Sequence, residues 1–470
     1  TSRSLSRPIQ APAIEWAIVL LVTASTGIVL VNAPEESSFD KTVAFLASLL
    51  TGGLLLRIVS RPQSVRRNLA ELNLGAWTVL GFVLVTALGA NPITVAALEN
   101  HYGSLALFSV AQYLLLVGCV SFVTGFQTCP RFWRHRLNTL YTAPYRRSRT
   151  SIGKPAVFLL LAVSVVARII QFATGGIGYF SDPSELLVTT SSLQQVLTLI
   201  GDWGTLACLS AGWLVGRHPS RSNVIVLASV LIVEMSLSAI SGAREPLLTA
   251  TLLTVVGYNV TRTRPRSLAL TGLVIALLFL AISPFQDNYR RAVIDSGVRD
   301  GGERSLATLI ESVELGLTQS ESADNTSPFK TLTRFSRVRD VDAVLRSTPT
   351  RMPYDDWLNI PTRAATGVIP RSIWPTKPVY AVGMEMSTRF YGNPQGLQSS
   401  SAITPTGDLW RHGGWLVVIP GMLLLGLLAR GVNTNSSRSR DIGSLFLPAL
   451  LVVPFVKWEQ GYVQAFLGTW

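Results

Sequence analysis

Long apolar segments are the feature that most constrains this chain. A helix needs roughly 20 apolar residues to cross about 30 Å of hydrocarbon, and about 11 segments approach that length. They are Ile14–Val31, Val43–Leu56, Leu74–Ala90, Leu105–Phe126, Ala156–Ala173, Val196–Val215, Val224–Ile240, Pro246–Val260, Leu268–Ile282, Trp415–Leu428 and Ile442–Val456. Because backbone in lipid must satisfy its own hydrogen bonds, each segment is predicted to be a helix. The expected fold is an all-α polytopic membrane protein with about 11–12 transmembrane helices.

The distribution of charge predicts how these helices are oriented. Only 14% of the 470 residues are charged, yet the net charge is +13. The basic residues concentrate in alternate loops, as at 57–67, 131–154 and 262–266. Since Lys and Arg accumulate on the cytoplasmic side, the protein is predicted to lie in the cytoplasmic membrane with its amino terminus in the cytoplasm. The positive charge is therefore interpreted as a topology signal, and no nucleic-acid partner is expected.

The same reasoning divides the chain into four parts. Residues 1–11 are expected to be a flexible tail, and 12–282 to be a transmembrane bundle of nine spans. Residues 283–414 are expected to be a large extracytoplasmic loop domain, and 415–470 to hold the last spans. A loop of this length is usually folded and functional. Its stretch 357–379 is predicted to form short amphipathic helices near the membrane surface.

Three ionisable side chains interrupt consecutive spans. Counted at 1.5 Å per residue, Arg168, Asp202 and Glu234 all lie about 8–10 Å below the outer interface. Intramembrane charges pair with one another or face a water-filled cavity. One interpretation is an ion pair that locks the bundle, and the other is a polar pocket that opens outward.

Several cations are placed where the spans meet the outer loop. Arg244 lies in the hairpin turn 241–246, and Arg371 and Lys377 lie in the proline-rich segment 369–378. Proline fixes the backbone, and rigidly held Arg and Lys suit phosphate oxygens. The alternative is that these side chains anchor the protein to lipid headgroups. Arg389 and Tyr391 follow, and the tyrosine offers a face on which a sugar ring could pack.

The chain resembles the O-antigen polymerase family, the Wzy-type oligosaccharide repeat-unit polymerases, which are GT-C-like membrane glycosyltransferases. The resemblance rests on Gly-Ala-Arg-Glu at 242–245, Ile-Pro-Arg…Trp-Pro-Thr-Lys-Pro at 369–378 and Thr-Pro-Thr-Gly-Asp-Leu-Trp at 404–410. The arrangement of many spans with one large outer loop is also similar.

This resemblance implies a glycosyltransferase without metal or other cofactor. It would join undecaprenyl-pyrophosphate-linked oligosaccharides at the outer face of a bacterial cytoplasmic membrane, with a chain-length regulator protein as a further partner. A departing pyrophosphate calls for fixed cations, for which the candidates are Arg244, Arg290, Arg371, Lys377 and Arg389. The acceptor hydroxyl calls for a base, for which the candidates are Glu245, Asp408 and His412.

Three other functions fit parts of the sequence. An O-antigen ligase-like transferase would use the same donor with a different acceptor. A transporter or flippase for a lipid-linked glycan would need a site near the midplane with access to both faces, whereas the intramembrane charge here lies in one half. A scaffold subunit of an envelope complex would not need the arginines.

Overall fold

The structure, a computed structural model, describes the greater part of the chain. The residues it describes are 13–32, 37–60, 73–102, 105, 107–133, 136, 152–174, 176–177, 180–181, 192–242, 244–261, 282, 285–297, 305–318, 336–369, 373–374, 376, 382–392, 403–433, 452, 455–456, 458 and 461–463. Every structural statement below concerns these residues. The predicted tail 1–11 and most of the predicted spans 268–282 and 442–456 lie outside them.

The described elements are almost entirely helical. The membrane part contains α1 (Ala13–Asn32), α2 (Ser38–Ser60), α3 (Leu74–Gly89), α4 (Pro92–Tyr102), α5 (Phe108–Thr128), α6 (Lys154–Ala173), α7 (Ser192–Gly201), α8 (Trp203–Arg217), α9 (Arg221–Ile240) and α10 (Arg244–Thr261). A two-residue antiparallel pairing joins β1 (Gly176–Ile177) to β2 (Phe180–Ser181). The later part contains α11 (Leu306–Thr318), α12 (Val338–Ser347), α13 (Asn359–Val368), α14 (Val382–Tyr391), α15 (Pro405–Trp410) and α16 (Trp415–Val432), and residues 285–295 are also helical.

The expected all-α polytopic class is confirmed. In the described part, seven helices are long and apolar enough to cross a membrane, and an eighth span is added if α3 and α4, bent by 59°, count as one. The apolar part of α10, Pro246–Thr261, is a shorter helix at the position of the eighth predicted span. The short helices expected between 283 and 414 are present as α11 to α15.

Close helix crossings are made by glycines. Gly125 of α5 faces the carbonyl of Leu423 in α16, and Gly426 of α16 faces the carbonyl of Phe122, so a Cβ at either glycine would overlap the partner backbone. Gly212 of α8 meets α10 at Thr254 in the same way. Small residues at crossings allow membrane helices to approach until their backbones touch. These contacts fix α5 against α16 and α8 against α10.

The helices pack in two neighbouring sets that share one buried apolar cluster. The first set holds α1, α2, α3, α5 and α16, and the second holds α6 to α10. The apolar cluster includes side chains from both sets, for example Phe122 of α5 and Leu209 of α8. The bundle therefore has a continuous core.

Helices α12 and α15 meet the bundle at the amino-terminal ends of α5 and α16, which we call the loop end. The amide of Leu107, which precedes α5, donates to Asp342 of α12 over 2.9 Å. Helix α15 goes deeper than a surface helix would. A Cβ at Gly118, in the middle of α5, would overlap Thr406 of α15, and residues 405–409 are all buried. The loop thus enters the bundle between α5 and α16.

Local sequence explains why α15 begins and ends where it does. Thr404 is the N-cap, and its hydroxyl accepts from the amide of Gly407 over 2.9 Å. Pro405 follows at the first helical position, where its missing N–H costs nothing. At the other end, Gly414 has a φ of 59°, a left-handed conformation that glycine adopts readily. This turn redirects the chain into α16 and holds Arg411 and His412 between the two helices.

Candidate functional site

The predicted charges inside the membrane form a buried ion pair. Arg168 Nη1 of α6 lies 2.9 Å from Glu234 Oε2 of α9, and the Glu234 side chain is fully buried. Arg168 Nη2 also donates to the carbonyl of Gly201 over 3.0 Å, at the end of α7. Ser164 donates to the same carbonyl over 2.6 Å. The bonds tie α6, α7 and α9 together, as the bundle-locking interpretation expects.

The structure corrects the position of Asp202. It was expected to lie in the same polar pocket, but it is exposed. It occupies the single position between α7 and α8, where its carbonyl accepts from the Thr205 hydroxyl over 2.6 Å. The break between α7 and α8 rotates this residue out of the helical register on which the prediction relied. The pair is completed instead by Gly204, whose missing side chain leaves room for the Glu234 carboxylate.

A second polar site surrounds the turn between α9 and α10. Arg290 Nε donates to the carbonyl of Gly242 over 2.6 Å, and the Tyr289 hydroxyl donates to the carbonyl of Ile240 over 2.6 Å. Gly242 itself has a φ of 66°. The fold therefore brings Arg290 to the turn between α9 and α10, next to the point where Arg244 begins α10.

Four of the predicted site residues have side chains outside the described part of the chain. Arg244 and Glu245 occupy the first turn of α10, and their side chains lie outside the described part. Arg371 and Lys377 lie wholly outside the described residues.

A third site is an arginine–carboxylate cluster at the loop end, which we call the loop cluster. Its members are Asp355 in the turn before α13, Arg363 of α13, Glu385 and Arg389 of α14, Asp408 of α15 and Arg411 after α15. Three guanidiniums face three carboxylates, so the formal charge of the cluster is balanced.

Arg411 is the centre of the loop cluster. Its side chain is only 1% exposed, with Nη1 3.0 Å from Glu385 and Nη2 2.8 Å from Asp408. Its own carbonyl accepts from the amide of Asp355 over 2.7 Å. A buried charge is tolerated only when its partners are this close. Arg411 thus joins the turn before α13 to α14 and α15.

The Glu385 carboxylate of the loop cluster is held ionised by its arginine neighbours. Burial acts to raise the pKa of Glu385, but Arg411, Arg363 and Arg389 outweigh it and hold this pKa at about 2, below the ordinary value of 4.5. Arg389 contacts both Glu385, over 2.7 Å, and Asp355, over 3.0 Å. The hydrogen bond that Arg389 donates to Asp355 raises the pKa of the guanidinium. Arg389, expected to bind pyrophosphate, is therefore already paired with two carboxylates.

Asp408 has both carboxylate oxygens engaged. Its Oδ1 accepts from Arg411 Nε over 2.8 Å, and its Oδ2 accepts from the amide of Tyr462 over 2.8 Å. One oxygen is thus bound by Arg411 and the other by the segment that carries Tyr462. Asp408 thus acts as a positioning residue for Arg411, whereas the sequence suggested a candidate base.

His412 is a buried histidine with one ring nitrogen bound to the protein. It is 4% exposed, and burial lowers its pKa below 6.5, so the imidazole is neutral at neutral pH. Its Nδ1 lies 3.2 Å from the carbonyl of Asp356, which can only accept, so Nδ1 carries the proton. Nε2 then holds the lone pair, and it has no hydrogen-bond partner within the described part of the chain.

Tyr391 occupies a structural position. Its hydroxyl donates to Asp340 of α12 over 2.7 Å, and the Arg339 guanidinium lies over its ring at 4.8 Å. Burial and Asp340 raise the pKa of this tyrosine well above 10. The contacts join α14 to α12, so the ring is not the open sugar platform that the sequence suggested.

Sequence reasoning missed Arg411, Arg363, Glu385 and Asp355. A local signal existed for two contacts: Asp408 and Arg411 are three residues apart, and Glu385 and Arg389 are four apart, which are the spacings of helical ion pairs. The contacts with Asp355 and Arg363 are tertiary and leave no local pattern. Among the described residues, no group of three or more His, Cys, Asp or Glu side chains is arranged to hold a metal ion.

Comparison with known proteins gives one finding. No curated protein and no solved structure matches the chain. A family profile with the description "Domain of unknown function (DUF8712)" matches residues 82–446, a range that contains the buried ion pair, Arg290 and the loop cluster. Because the match covers more than half of the chain, the chain belongs to the DUF8712 family.

Proposed function

We propose that this protein is a membrane glycosyltransferase that joins undecaprenyl-pyrophosphate-linked oligosaccharide repeat units into a polysaccharide. The reaction takes place at the outer face of a bacterial cytoplasmic membrane, and the loop end faces outward. The resemblance of 242–245, 369–378 and 404–410 to O-antigen polymerases supports this proposal, as does the positive charge of the alternate loops.

The observation that carries the proposal is the state of His412. A neutral imidazole whose Nδ1–H is bound to the Asp356 carbonyl presents an unprotonated Nε2 at the loop end. Transfer of a sugar needs a base within reach of the acceptor hydroxyl. The loop cluster holds His412 in place, because Arg411 immediately precedes it and is bound to Asp408 and Glu385.

The chemistry then follows from the charges. The acceptor oxygen attacks the anomeric carbon of the donor as Nε2 of His412 takes the hydroxyl proton. The bond from that carbon to the pyrophosphate oxygen breaks, and the lipid pyrophosphate leaves with the electron pair. Cations already in place stabilise that charge. Arg290, held on the Gly242 turn beside Arg244, is suited to this role, whereas the balanced loop cluster orients the base.

The test is the length distribution of lipid-linked glycans in cells that carry His412→Asn. Asparagine can still donate to the Asp356 carbonyl but cannot accept the proton. We expect single repeat units to accumulate and all longer products to disappear, with normal amounts of protein in the membrane. His218→Asn is the matched control, because His218 is exposed in the turn between α8 and α9.

The pH profile gives a second readout. Burial lowers the pKa of His412. The rate of wild-type transfer is therefore expected to stay constant as the pH falls to about 6.5 and to decrease only at lower pH. If cells with His412→Asn still make lipid-linked glycans of every length, the role of His412 as the base would be contradicted. If deletion of the protein leaves lipid-linked glycans of every length but prevents their attachment to the final acceptor, the ligase function would be favoured instead.

A further inference from the structure

An open groove of about 630 Å³ lies between α1, α5 and α16. All three helices are long and apolar enough to span the membrane. The lining is almost wholly aliphatic, with Ala24 and Ile28 on α1, Val117 on α5 and Ile419 on α16. A space of this size is within the range of about 300–1,000 Å³ typical of ligand sites. Because its walls are mostly apolar and belong to membrane spans, the groove suits a hydrocarbon chain.

The groove is confined to one half of the membrane thickness. It uses the carboxyl-terminal half of α1, from Ala24 to Leu30, and the amino-terminal halves of α5 and α16. Since α1 runs antiparallel to the other two, all three contributions come from the loop end. At 1.5 Å per residue, the stretch of α5 from Val110 to Val117 covers about 10 Å, less than one leaflet. The ligand is therefore a lipid whose head lies at the loop end.

The upper end of the groove is aromatic and polar. Tyr113 lies five residues into α5, and its ring packs edge-on against Trp415 with centroids 5.9 Å apart. Tyr113 is half-buried, and its hydroxyl has no hydrogen-bond partner within the described part of the chain. Gly27 makes room for it, because a Cβ there would lie 2.5 Å from Tyr113 Oη.

An aromatic contact links the wall of the groove to the turn that carries His412. Trp415 contacts Trp410 with ring centroids 5.3 Å apart, and these two tryptophans flank the turn that holds Arg411 and His412. Trp410 is fixed in turn by its indole N–H, which donates to the carbonyl of Thr348 over 3.1 Å. The aromatic side chains thus lead from the hydrocarbon groove to the loop cluster.

We propose that this groove binds the first isoprene units of a polyprenyl pyrophosphate, with the Tyr113 hydroxyl turned toward its polar head. The choice of a polyprenyl chain over an ordinary acyl chain rests on the proposed function, whose donor is such a lipid. The groove fixes the hydrocarbon of that donor, while Arg290 acts at its head and the loop cluster orients His412.

The test is photolabelling of the purified protein in phospholipid nanodiscs by polyprenyl pyrophosphate that carries a diazirine in its second isoprene unit. Labelled peptides are expected from α1, α5 and α16. Ala24→Phe fills the groove and is expected to reduce this labelling about tenfold, equivalent to a loss of about 1.4 kcal/mol. Ser25→Phe is the matched control, because Ser25 is the exposed next residue on the same helix and does not line the groove.

Equal labelling of the two variants, or label confined to other helices, would overturn the proposal. So would labelling of the groove by a diazirine phospholipid that excess polyprenyl phosphate fails to displace, because the groove would then hold ordinary membrane lipid. Groove labelling in a protein that shows no sugar transfer supports the lipid site and contradicts only the proposed function. Sugar transfer by a protein whose groove peptides are not labelled would contradict the groove as the lipid site but not the proposed function.

Discussion

The buried ion pair of Arg168 and Glu234 depends on the space that Gly204 leaves by having no side chain. A Cβ at Gly204 of α8 would coincide with Glu234 Oε1 and lie 2.8 Å from Ser164 Oγ. In Gly204→Ala the Glu234 carboxylate must therefore leave its position 2.9 Å from Arg168. The Glu234 side chain is fully buried where α6, α8 and α9 meet.

The expected loss follows from the separation of a buried charge from its partner. Breaking a buried ion pair costs about 3–5 kcal/mol, and we expect Gly204→Ala to reduce the free energy of unfolding by this amount. In the background of Glu234→Ala the carboxylate is absent, and the methyl group introduced by Gly204→Ala has room. There the same change is expected to cost less than about 1 kcal/mol, so the two positions couple by roughly 3 kcal/mol.

The assay is a double-mutant cycle measured by unfolding in mixed detergent micelles and followed by tryptophan fluorescence. Gly53→Ala in α2 is the matched control, because a Cβ at that glycine meets nothing within 4 Å. It is expected to raise the free energy of unfolding by no more than about 1 kcal/mol, the ordinary preference of a helix for alanine over glycine. A coupling between Gly204 and Glu234 below about 1 kcal/mol would refute the argument, since the cost would then arise from elsewhere in α8.

Two further predictions concern the loop cluster. Arg411→Met should destabilise the protein by about 3–5 kcal/mol, because it leaves Glu385 and Asp408 without their most buried partner. Arg389→Met should have a smaller effect, because that side chain is 35% exposed; equal shifts in melting temperature would contradict the central position of Arg411. The pKa of Glu385 is about 2 in the folded protein against an ordinary 4.5, so its contribution to stability is complete above pH 4.5 and is lost as pH falls from 4.5 toward 2. The melting temperature of Glu385→Gln should therefore depend less on pH in that window than that of the wild type, and parallel curves would exclude the ion pairs as the cause.

The sequence determined the fold class and the positions of most membrane helices in the described part of the chain, because a membrane helix is specified by local hydrophobicity and length. It also placed Arg168, Asp202 and Glu234 at equal depth and offered an ion pair of Arg168 with either acid as one of two interpretations. The structure shows the pair with Glu234. The expected position of Asp202 was wrong because the helix breaks at that residue. A break changes the direction of every side chain after it.

The tertiary structure alone decided which polar groups form the site. Helix α15 is a short polar segment in the sequence, and only its contact with Gly118 of α5 shows that it enters the bundle. The state of His412 depends on a carbonyl 56 residues away in the chain, and the loop cluster gathers charges from three helices and two turns. Such contacts arise from packing between distant segments, and the local pattern of residues does not encode them.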